Sequence, residues 1–594
     1  VRPESSFTSG LAVISLCASL AVTGIAAAQG PASAAAQPAG LSRAVPVPAL
    51  PDSSLRNEPP APVSESALAI RQILDRPPQG GLETTQGRRL WKEVQRFYEG
   101  RGWEPAWVGE DGSAPLSAQL FATARHAESH GLEPSQYPVP DLETALAARN
   151  VDPERRAELD VRLTHFFMTL GRHLAFGRLN PRDLETEEWY LRRPTVDFPA
   201  VLASALVSTD VAGALEGLAP QGPGYAALRE ELRRLRQVAA AGGWPRVAGK
   251  FMAARGDTQT ALETVRAYLR ATGDYPAGPD WNPDVMDGIL EGAVRSFQKH
   301  HGLAVDGVLG PRTLAEMAVP VGDRIRTVLV NLERRRWFPG VSEREVLVNV
   351  PEYMLRLYDH GNPVHRMRVI AGAKDTPTPT FTDQITYMET NPPWHVPRSI
   401  ASAEILPKIL ADPAYLATEN FAVIDSAGKV VNPDSVQWAG MQPETLAYRF
   451  RQEPGAGNPL GSIKFIFPNQ FSIYLHDTPN DRPFALADRA LSHGCVRIEH
   501  PLSFASYLLR DDPHWSGERV AQVVKSGERK WIYLKEPMPI TMVYFTAFVG
   551  EDGALNFRKD VYGRDAKLAE ALAAYATPRL QVGAFTADLS RSPR

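Results

Sequence analysis

The sequence predicts a multidomain α+β protein, and three observations carry that expectation. At 594 residues the chain has room for three or four domains of roughly 150 residues each. Its first half repeats apolar residues every three or four positions, the spacing of amphipathic helices. From Glu345 onward the period falls to two, the spacing of strands. The composition is globular: 22% charged and 43% hydrophobic residues with a net charge of −4 exclude a disordered chain and a nucleic-acid binder working through bulk positive charge. The two cysteines, Cys17 and Cys495, exclude a disulfide scaffold and any cysteine-based zinc site.

In chain order, residues 1–28 read as a signal peptide. The apolar run LAVISLCASLAVTGIAAA follows Arg2 and ends on three small residues before Gln29. Left uncleaved it would be a membrane anchor, although Ser15, Ser19, Thr23 and Gly24 weaken that reading. Cleavage after Ala28 leaves Cys495 as a lone thiol in an oxidising compartment, where an unpaired cysteine invites modification. Residues 29–63, rich in proline and alanine, hold too few large apolar side chains to offset the entropy of ordering and read as a disordered linker.

Residues 64–250 are expected to form a helical domain. Its clearest helix spans 154–179, where Leu159, Leu163, Phe166, Leu170 and Leu174 share a face. His126 and His130 stand four apart on another expected helix, but without a third ligand they read as ordinary helix histidines rather than a metal site. Residues 256–319 predict three short helices: 258–272 closed by Gly273, 284–301, and one opened by Gly310-Pro311. Strands are expected at 346–350, 353–358, 367–370, 462–467, 471–476 and 540–549 within a β-rich domain over 345–565. The strand signal lapses over 399–455, which reads as an insertion able to form a lid, with helix-like stretches at 401–410 and 443–450. Residues 577–594 read as a disordered tail.

Two clusters carry chemistry. Ser492-His493-Gly494-Cys495-Val496-Arg497 sets the thiol beside a histidine, a glycine and an arginine. A thiol near pKa 8.5 is only a few per cent ionised at neutral pH, so a nucleophilic cysteine needs a base or a positive environment. Gly494 allows a sharp turn that can aim backbone N–H groups at an oxyanion. The second cluster, Tyr474-Leu475-His476-Asp477-Thr478-Pro479, ends an expected strand on which Tyr474 and His476 share a face. His476 and His493 both compete as the base, since reach alone does not separate them. The glycine-rich run 455–461 lacks nucleotide-binding spacing and reads as a loop.

His-Asp-Thr-Pro followed by Ser-His-Gly-Cys-Val-Arg resembles the L,D-transpeptidase catalytic domain of the YkuD type. Thr376-Pro-Thr-Pro379, Asn391-Pro-Pro-Trp394-His-Val-Pro397 and Gly461-Ser-Ile-Lys-Phe465 look like further landmarks of that family. Residues 293–314, with Phe-Gln, Gly-Leu, Asp-Gly and Gly-x-x-Thr-Leu, resemble a three-helix peptidoglycan-binding module, which can bind wall or merely join its neighbours. The whole layout resembles the large Gram-negative members of the family: a helical scaffold domain, a peptidoglycan-binding module and a β-rich catalytic domain with an inserted capping subdomain.

The resemblance implies a periplasmic enzyme that forms 3→3 peptidoglycan cross-links through a Cys495 acyl-enzyme, releasing D-Ala from a tetrapeptide donor. It implies His476 as general base, oriented by the backbone carbonyl of Asp477, with Gly494 and Cys495 N–H groups in the oxyanion hole. His493 is then a substrate or oxyanion contact and Arg497 a site-shaping residue. Tyr474, Trp394 and Ser492 are candidate substrate contacts, although aromatic residues of a β-rich domain such as Tyr474 and Trp394 are as often core. No cofactor or metal is implied. The implied partners are peptidoglycan stem peptides and glycan, with peptidoglycan synthases or carboxypeptidases as candidates for the helical domain. No nucleic acid is among them, and the membrane enters through the amino-terminal segment alone. Water or a lipoprotein lysine as acceptor, and a non-catalytic wall-binding scaffold, are the alternatives.

Overall fold

The computed structural model describes residues 64–76, 84–148, 151–184, 189–191, 195–247, 249–278 and 282–575. The expected signal peptide, linker and tail lie outside them. Among the described residues no helix is long and apolar enough to cross a membrane.

The amino-terminal half packs around one helix, Pro153–Phe176, capped by the Asp152 side chain and ended at Gly177, whose φ is +80°. Leu159, Leu163, Phe166, Leu170 and Leu174 are buried as their spacing predicts, but so are Val161, Phe167 and Met168 on the opposite side. A helix apolar all round is a central one, and the helices Thr85–Glu99, Phe198–Ser208 and Val211–Leu218 pack against it. Its buried Asp160 accepts hydrogen bonds from the Tyr98 hydroxyl (2.6 Å) and from the amides of Ala106, Trp107 and Val108 (2.7–2.8 Å), which ties the loop before Ser117 to the core. His126 and His130 do not converge: His126 bonds the Ala122 carbonyl, while the buried His130 meets Glu216 at 2.9 Å.

Three helices, Ala261–Thr272, Gly288–His300 and Pro311–Met317, enclose a small separate core. The residues that carry the family look are internal braces. Gln298 Nε2 donates to Asp306 Oδ1 (2.7 Å), the Val308 carbonyl (3.0 Å) and Thr313 Oγ1 (3.1 Å), and Gln298 Oε1 accepts from the Gly307 amide (2.8 Å). This module docks on the hairpin Ala547–Val549/Leu555–Phe557 through His301, stacked between Phe297 and Phe557, and through His300, which bridges Asp274 (2.6 Å) and Asp552 (3.4 Å). Asp274, then Asp552, holds the His300 pKa above its ordinary value. A raised histidine contributes stability that is complete below its unfolded pKa of ~6.5 and is lost as pH rises through the folded value. Lys299 also pairs with Asp552. Amide exchange in the hairpin is therefore expected to quicken as pH rises above ~6.5, after correction for intrinsic rates, and to lose that pH dependence in His300→Gln.

Eight strands form the carboxy-terminal barrel: β1 Glu345–Asn349, β2 Met354–Asp359, β3 Asn362–Gly372, β4 Thr380–Thr390, β5 Ile463–Ile466, β6 Leu475–His476, β7 Val496–Ile498 and β8 Lys530–Val543. The ring order is β4-β5-β6-β7-β3-β2-β1-β8, and β8 pairs back to β4, which closes the sheet; β6–β7 and β1–β8 are the parallel pairs. Alternate residues such as Val348, Leu355, Val369, Met388, Phe465, Leu475, Val496 and Ile540 make up its core. A short strand of the helical half, Trp189–Tyr190, adds in parallel to Thr380–Phe381 of β4.

Several expectations change. The strand expected over 540–549 is split, β8 ending at Val543 and Ala547–Val549 pairing with Leu555–Phe557. Residues 471–476 were expected to be one strand, but β6 has two residues: the Asn469 side chain bonds the backbone of Phe467, Phe471 and Ile473, and Ser472 turns to φ +56°. The insertion 399–455 is not strandless. It carries the strands Phe421–Ile424, Val430–Val431 and Arg449–Gln452, which join Trp394–His395 in a four-stranded sheet over an apolar core of its own. Their brevity hides them from a period-two search.

Helix Val321–Trp337 is the strut between the halves. Its buried Asn331 exchanges hydrogen bonds with Thr546, and Arg334 pairs with Asp565. On its other side Glu333 accepts from the Arg178 amide (2.5 Å), the Leu179 amide (3.0 Å) and Arg336 (2.8 Å).

Candidate active site

The outer face of the barrel brings the candidate residues together. Pairing registers set Glu389, Lys464, His476 and Arg497 side by side across β4, β5, β6 and β7. One step along, Tyr474 lies opposite Cys495, because Leu475 pairs with Val496 in parallel. Leu475, Val496, Phe465 and Met388 point the other way, into the core. Strand alternation thus puts Tyr474, His476, Cys495 and Arg497 on one face, with His476 diagonal to the thiol.

Tyr474 stands opposite the half-buried Cys495. Its amide and hydroxyl favour the thiolate form, and the thiol itself donates to the Ser472 carbonyl at 3.7 Å. The Lys464 ammonium sits 3.8 Å from the centre of the Tyr474 ring, whose centroid is 5.7 Å from that of His476. Burial pushes the Cys495 thiol up from its ordinary range, against the pull of Tyr474, Lys464 and Arg497. Burial, with the Arg497 charge behind it, pushes His476 down to about 3. At neutral pH the pair rests as thiol and neutral imidazole.

His476 Nδ1–H donates to the carbonyl of Asp477 at 2.6 Å, and the Pro459 carbonyl also faces the ring. The Asp477 carboxylate turns away: Oδ2 accepts from the Ser462 amide (2.7 Å) and hydroxyl (2.6 Å), and Oδ1 from the Thr478 amide (2.7 Å). It packs on Gly461, at φ +61°, where a Cβ would stand 2.5 Å from the carboxylate, so the glycine-rich run serves this contact.

The turn 492–495 departs in part from expectation. The buried Ser492 hydroxyl donates to the Cys495 carbonyl and accepts from the Gly494 amide at 3.2 Å. It closes the turn rather than facing a groove, and it occupies the Gly494 N–H that had been expected in the oxyanion hole. The Cys495 amide is the donor that remains. Gly494 adopts φ +107°, a conformation costly for any side chain. His493 points away from the thiol to Glu404 Oε1 (2.6 Å), on the π-helical turn Ala401–Ile405 of the insertion, and so links the cap to the cysteine loop. Arg497 has a buried Nε without a hydrogen-bond partner. Trp394 packs on Phe421, centroids 6.3 Å apart, as part of the cap's core.

Several residues of the site were missed in the sequence. Thr378 Oγ1 accepts from the Gly372 amide (2.9 Å) and donates to the Gly494 carbonyl (2.7 Å), and the Tyr562 hydroxyl donates to the Gly372 carbonyl (2.7 Å). Gly372 itself has no room for a Cβ, which would stand 2.2 Å from the Thr376 carbonyl. The Thr-Pro-Thr-Pro landmark was the one available signal for this brace. Thr378→Val keeps the shape and removes the hydroxyl, leaving the buried Gly372 N–H and Gly494 C=O unpaired at about 1–3 kcal/mol each. Thiol acylation is expected to slow at least tenfold in Thr378→Val and to recover in Thr378→Ser, with far-UV circular dichroism unchanged. Among the described residues no group of three or more His, Cys, Asp or Glu side chains is placed to hold a metal ion.

Comparison with known proteins adds the following. Residues 343–521 match the model described as "L,D-transpeptidase catalytic domain" (YkuD), residues 92–232 the "Scaffold domain" and residues 258–317 the "Putative peptidoglycan binding domain". A Haemophilus influenzae protein named "Putative L,D-transpeptidase" is 35% identical over 239 residues, 40% of this chain and 48% of that protein. "N-acetylmuramoyl-L-alanine amidase CwlM" of Mycobacterium tuberculosis is 37% identical over 79 residues, 12% of this chain and 20% of that one. The chain thus spans about half the length of the first curated relative and a fifth of the second. The crystal structure of an L,D-transpeptidase from Stackebrandtia nassauensis aligns over 50% of this chain and 96% of its own, at 11% identity and a TM-score of 0.21.

Proposed function

We propose, from the premise that this chain carries a YkuD-type L,D-transpeptidase catalytic domain with a scaffold domain and a peptidoglycan-binding domain, that it forms 3→3 peptidoglycan cross-links outside the cytoplasm, in the periplasm. The observation that carries the reading is a thiol and a neutral imidazole on one outer face of the barrel, framed by Lys464, Tyr474 and Arg497.

In the first step Cys495 sulfur attacks the carbonyl of the third stem residue. The thiol proton passes to His476, the C–S bond forms, and the C–N bond to the terminal D-Ala breaks as His476 returns the proton to the leaving amine. In the second step the side-chain amine of another stem attacks the thioester carbonyl and loses its proton to His476; the C–N bond forms, the C–S bond breaks, and His476 returns the proton to the departing sulfur. The Cys495 amide would serve as an oxyanion donor, and the fixed charge of Arg497 suits a stem carboxylate. The Asp477 backbone carbonyl holds the imidazole, so Asp477→Asn should act through the 461–462 turn more than through the base.

Because His476 stays neutral down to about 3 and the thiol lies above its ordinary range, proton transfer between them is uphill and the thiolate forms transiently. Acylation by a carbapenem is therefore expected to rise with pH through neutrality, without an inflection near the ordinary histidine value of ~6.5. An acid limb at that pH would overturn His476 as the base. The deciding experiment is mass spectrometry of products from a disaccharide-tetrapeptide. A cross-linked dimer lacking one D-Ala supports the reading, whereas tripeptide alone makes water the acceptor and the enzyme an L,D-carboxypeptidase.

A further inference from the structure

The catalytic row does not stop at Glu389. That residue pairs onward with Trp531 of β8, and Tyr387 pairs with Tyr533 on β8 and with Ile466 on β5. Met388 and Ile532 between them point into the core, so Trp531, Tyr533 and Tyr387 lie on the outer face with the thiol. The Tyr387 and Tyr533 rings stand 5.2 Å apart, and the Arg529 guanidinium lies 4.8 Å from the Trp531 ring while pairing with Glu389 at 2.7 Å. Trp531 is 53% and Tyr533 68% exposed. Along 530–533 β8 pairs with β4, while β1 meets it only from Ile540 onward, so the aromatics stand at an open edge of the sheet.

We propose that Trp531, Tyr533 and Tyr387 form a saccharide platform that holds the N-acetylated amino sugars of the donor strand while its stem peptide lies along the sheet toward Cys495. The inference rests on the peptidoglycan reading above. Aromatic rings left wet on a fixed strand offer a flat apolar face beside a polar tip. A pyranose presents the complementary surface, with C–H groups on its face and hydroxyl and acetamido groups on its edge.

The spacing fits. Strands lie ~4.8 Å apart, so Tyr387 is about 14 Å and Tyr533 about 19 Å from Cys495 along the sheet. The lactyl group and two stem residues between the sugar and the acylated third residue span about 10 Å when extended. That leaves the two outermost strands, about 9 Å, for the saccharide, where the aromatics stand. Lys464, on β5, lies between, as a cation for the carboxylate of the intervening stem residue.

The test has two arms, each run on the full chain and on Trp531→Ala/Tyr533→Ala. In the first, a stem-free N-acetylglucosamine tetramer is titrated and observed by saturation-transfer NMR. Binding by the parent that falls at least fivefold in the variant is expected; no binding, or equal binding, overturns the platform. In the second, kcat/KM is compared for a disaccharide-tetrapeptide and the same tetrapeptide without sugar. The variant is expected to lose at least fivefold on the sugar-bearing donor and nothing on the bare peptide or on carbapenem acylation of Cys495. Equal losses on both donors overturn the proposal. Saccharide binding lost in the variant, with no turnover of either donor by the parent, would uphold the platform and reject the transpeptidase reading instead.

Discussion

Substituting Cys495 by alanine is expected to abolish both the cross-linked product and the covalent carbapenem adduct, in protein that remains folded. The half-buried thiol donates to the Ser472 carbonyl, so its loss removes few contacts, while the proposed acyl-enzyme has nowhere else to form. Cys495 is the one free thiol among the described residues. Intact-protein mass spectrometry reads the result directly: the parent gains one carbapenem mass and the variant none. An adduct that persists in Cys495→Ala sinks the acyl-enzyme. His476→Ala is expected to keep a slow acylation, reduced about 10²- to 10⁴-fold, the range of a positioned general base. Because the imidazole is neutral at rest, the deficit should shrink as rising pH ionises the thiol without help. A deficit independent of pH would mean that His476 positions the loop rather than moves the proton.

The second large effect lies far from the thiol. The Glu333–Arg336 pair is 1% exposed at both side chains, and Glu333 is also the acceptor for the Arg178 and Leu179 amides. Gly177 precedes them at φ +80°, and a Cβ there would fall 2.4 Å from the Glu333 carboxylate. Glu333→Ala strands a buried guanidinium and two buried amides together. Breaking such a pair costs about 3–5 kcal/mol. Hydrogen exchange at Arg178 and Leu179 should therefore accelerate by at least 10²-fold, with proteolytic cleavage appearing near Gly177. Exchange in the barrel core around Val348 and Leu475 should hardly change. Glu333→Gln, which retains an acceptor for the amides, should lie between. Uniform acceleration through the barrel would show that the strut and the catalytic domain unfold as one unit.

The sequence was informative where a local rule fixes a local feature. The helix around Leu163 follows from apolar spacing, and its end from a glycine. The Asp-Gly and Gly-Pro turns of the small module follow from backbone preferences, and the alternation that starts at Val346 announces the barrel. Cys495 and His476 stand out as candidates because a lone thiol follows His-Gly and a histidine closes an expected strand. The same rules failed at β6, where Asn469 draws the backbone of Phe471 and Ile473 into its own hydrogen bonds, and in the cap, whose strands are too short to show a period.

What local rules could not supply is register. Lys464, His476, Arg497 and Trp531 are separated by up to 67 residues in the chain, yet one slip of a strand would turn its member of the row into the core. Ser492 reads as a substrate contact until the fold folds its hydroxyl back on Gly494 and Cys495, and Thr378 has no visible role until β3 brings Gly372 beside it. The residue types thus point, from the chain alone, to the thiol chemistry proposed above. Which side chains frame it, and which merely hold its turn, depends on long-range strand pairing, because those hydrogen bonds join residues whose order in the chain carries no trace of their neighbourhood.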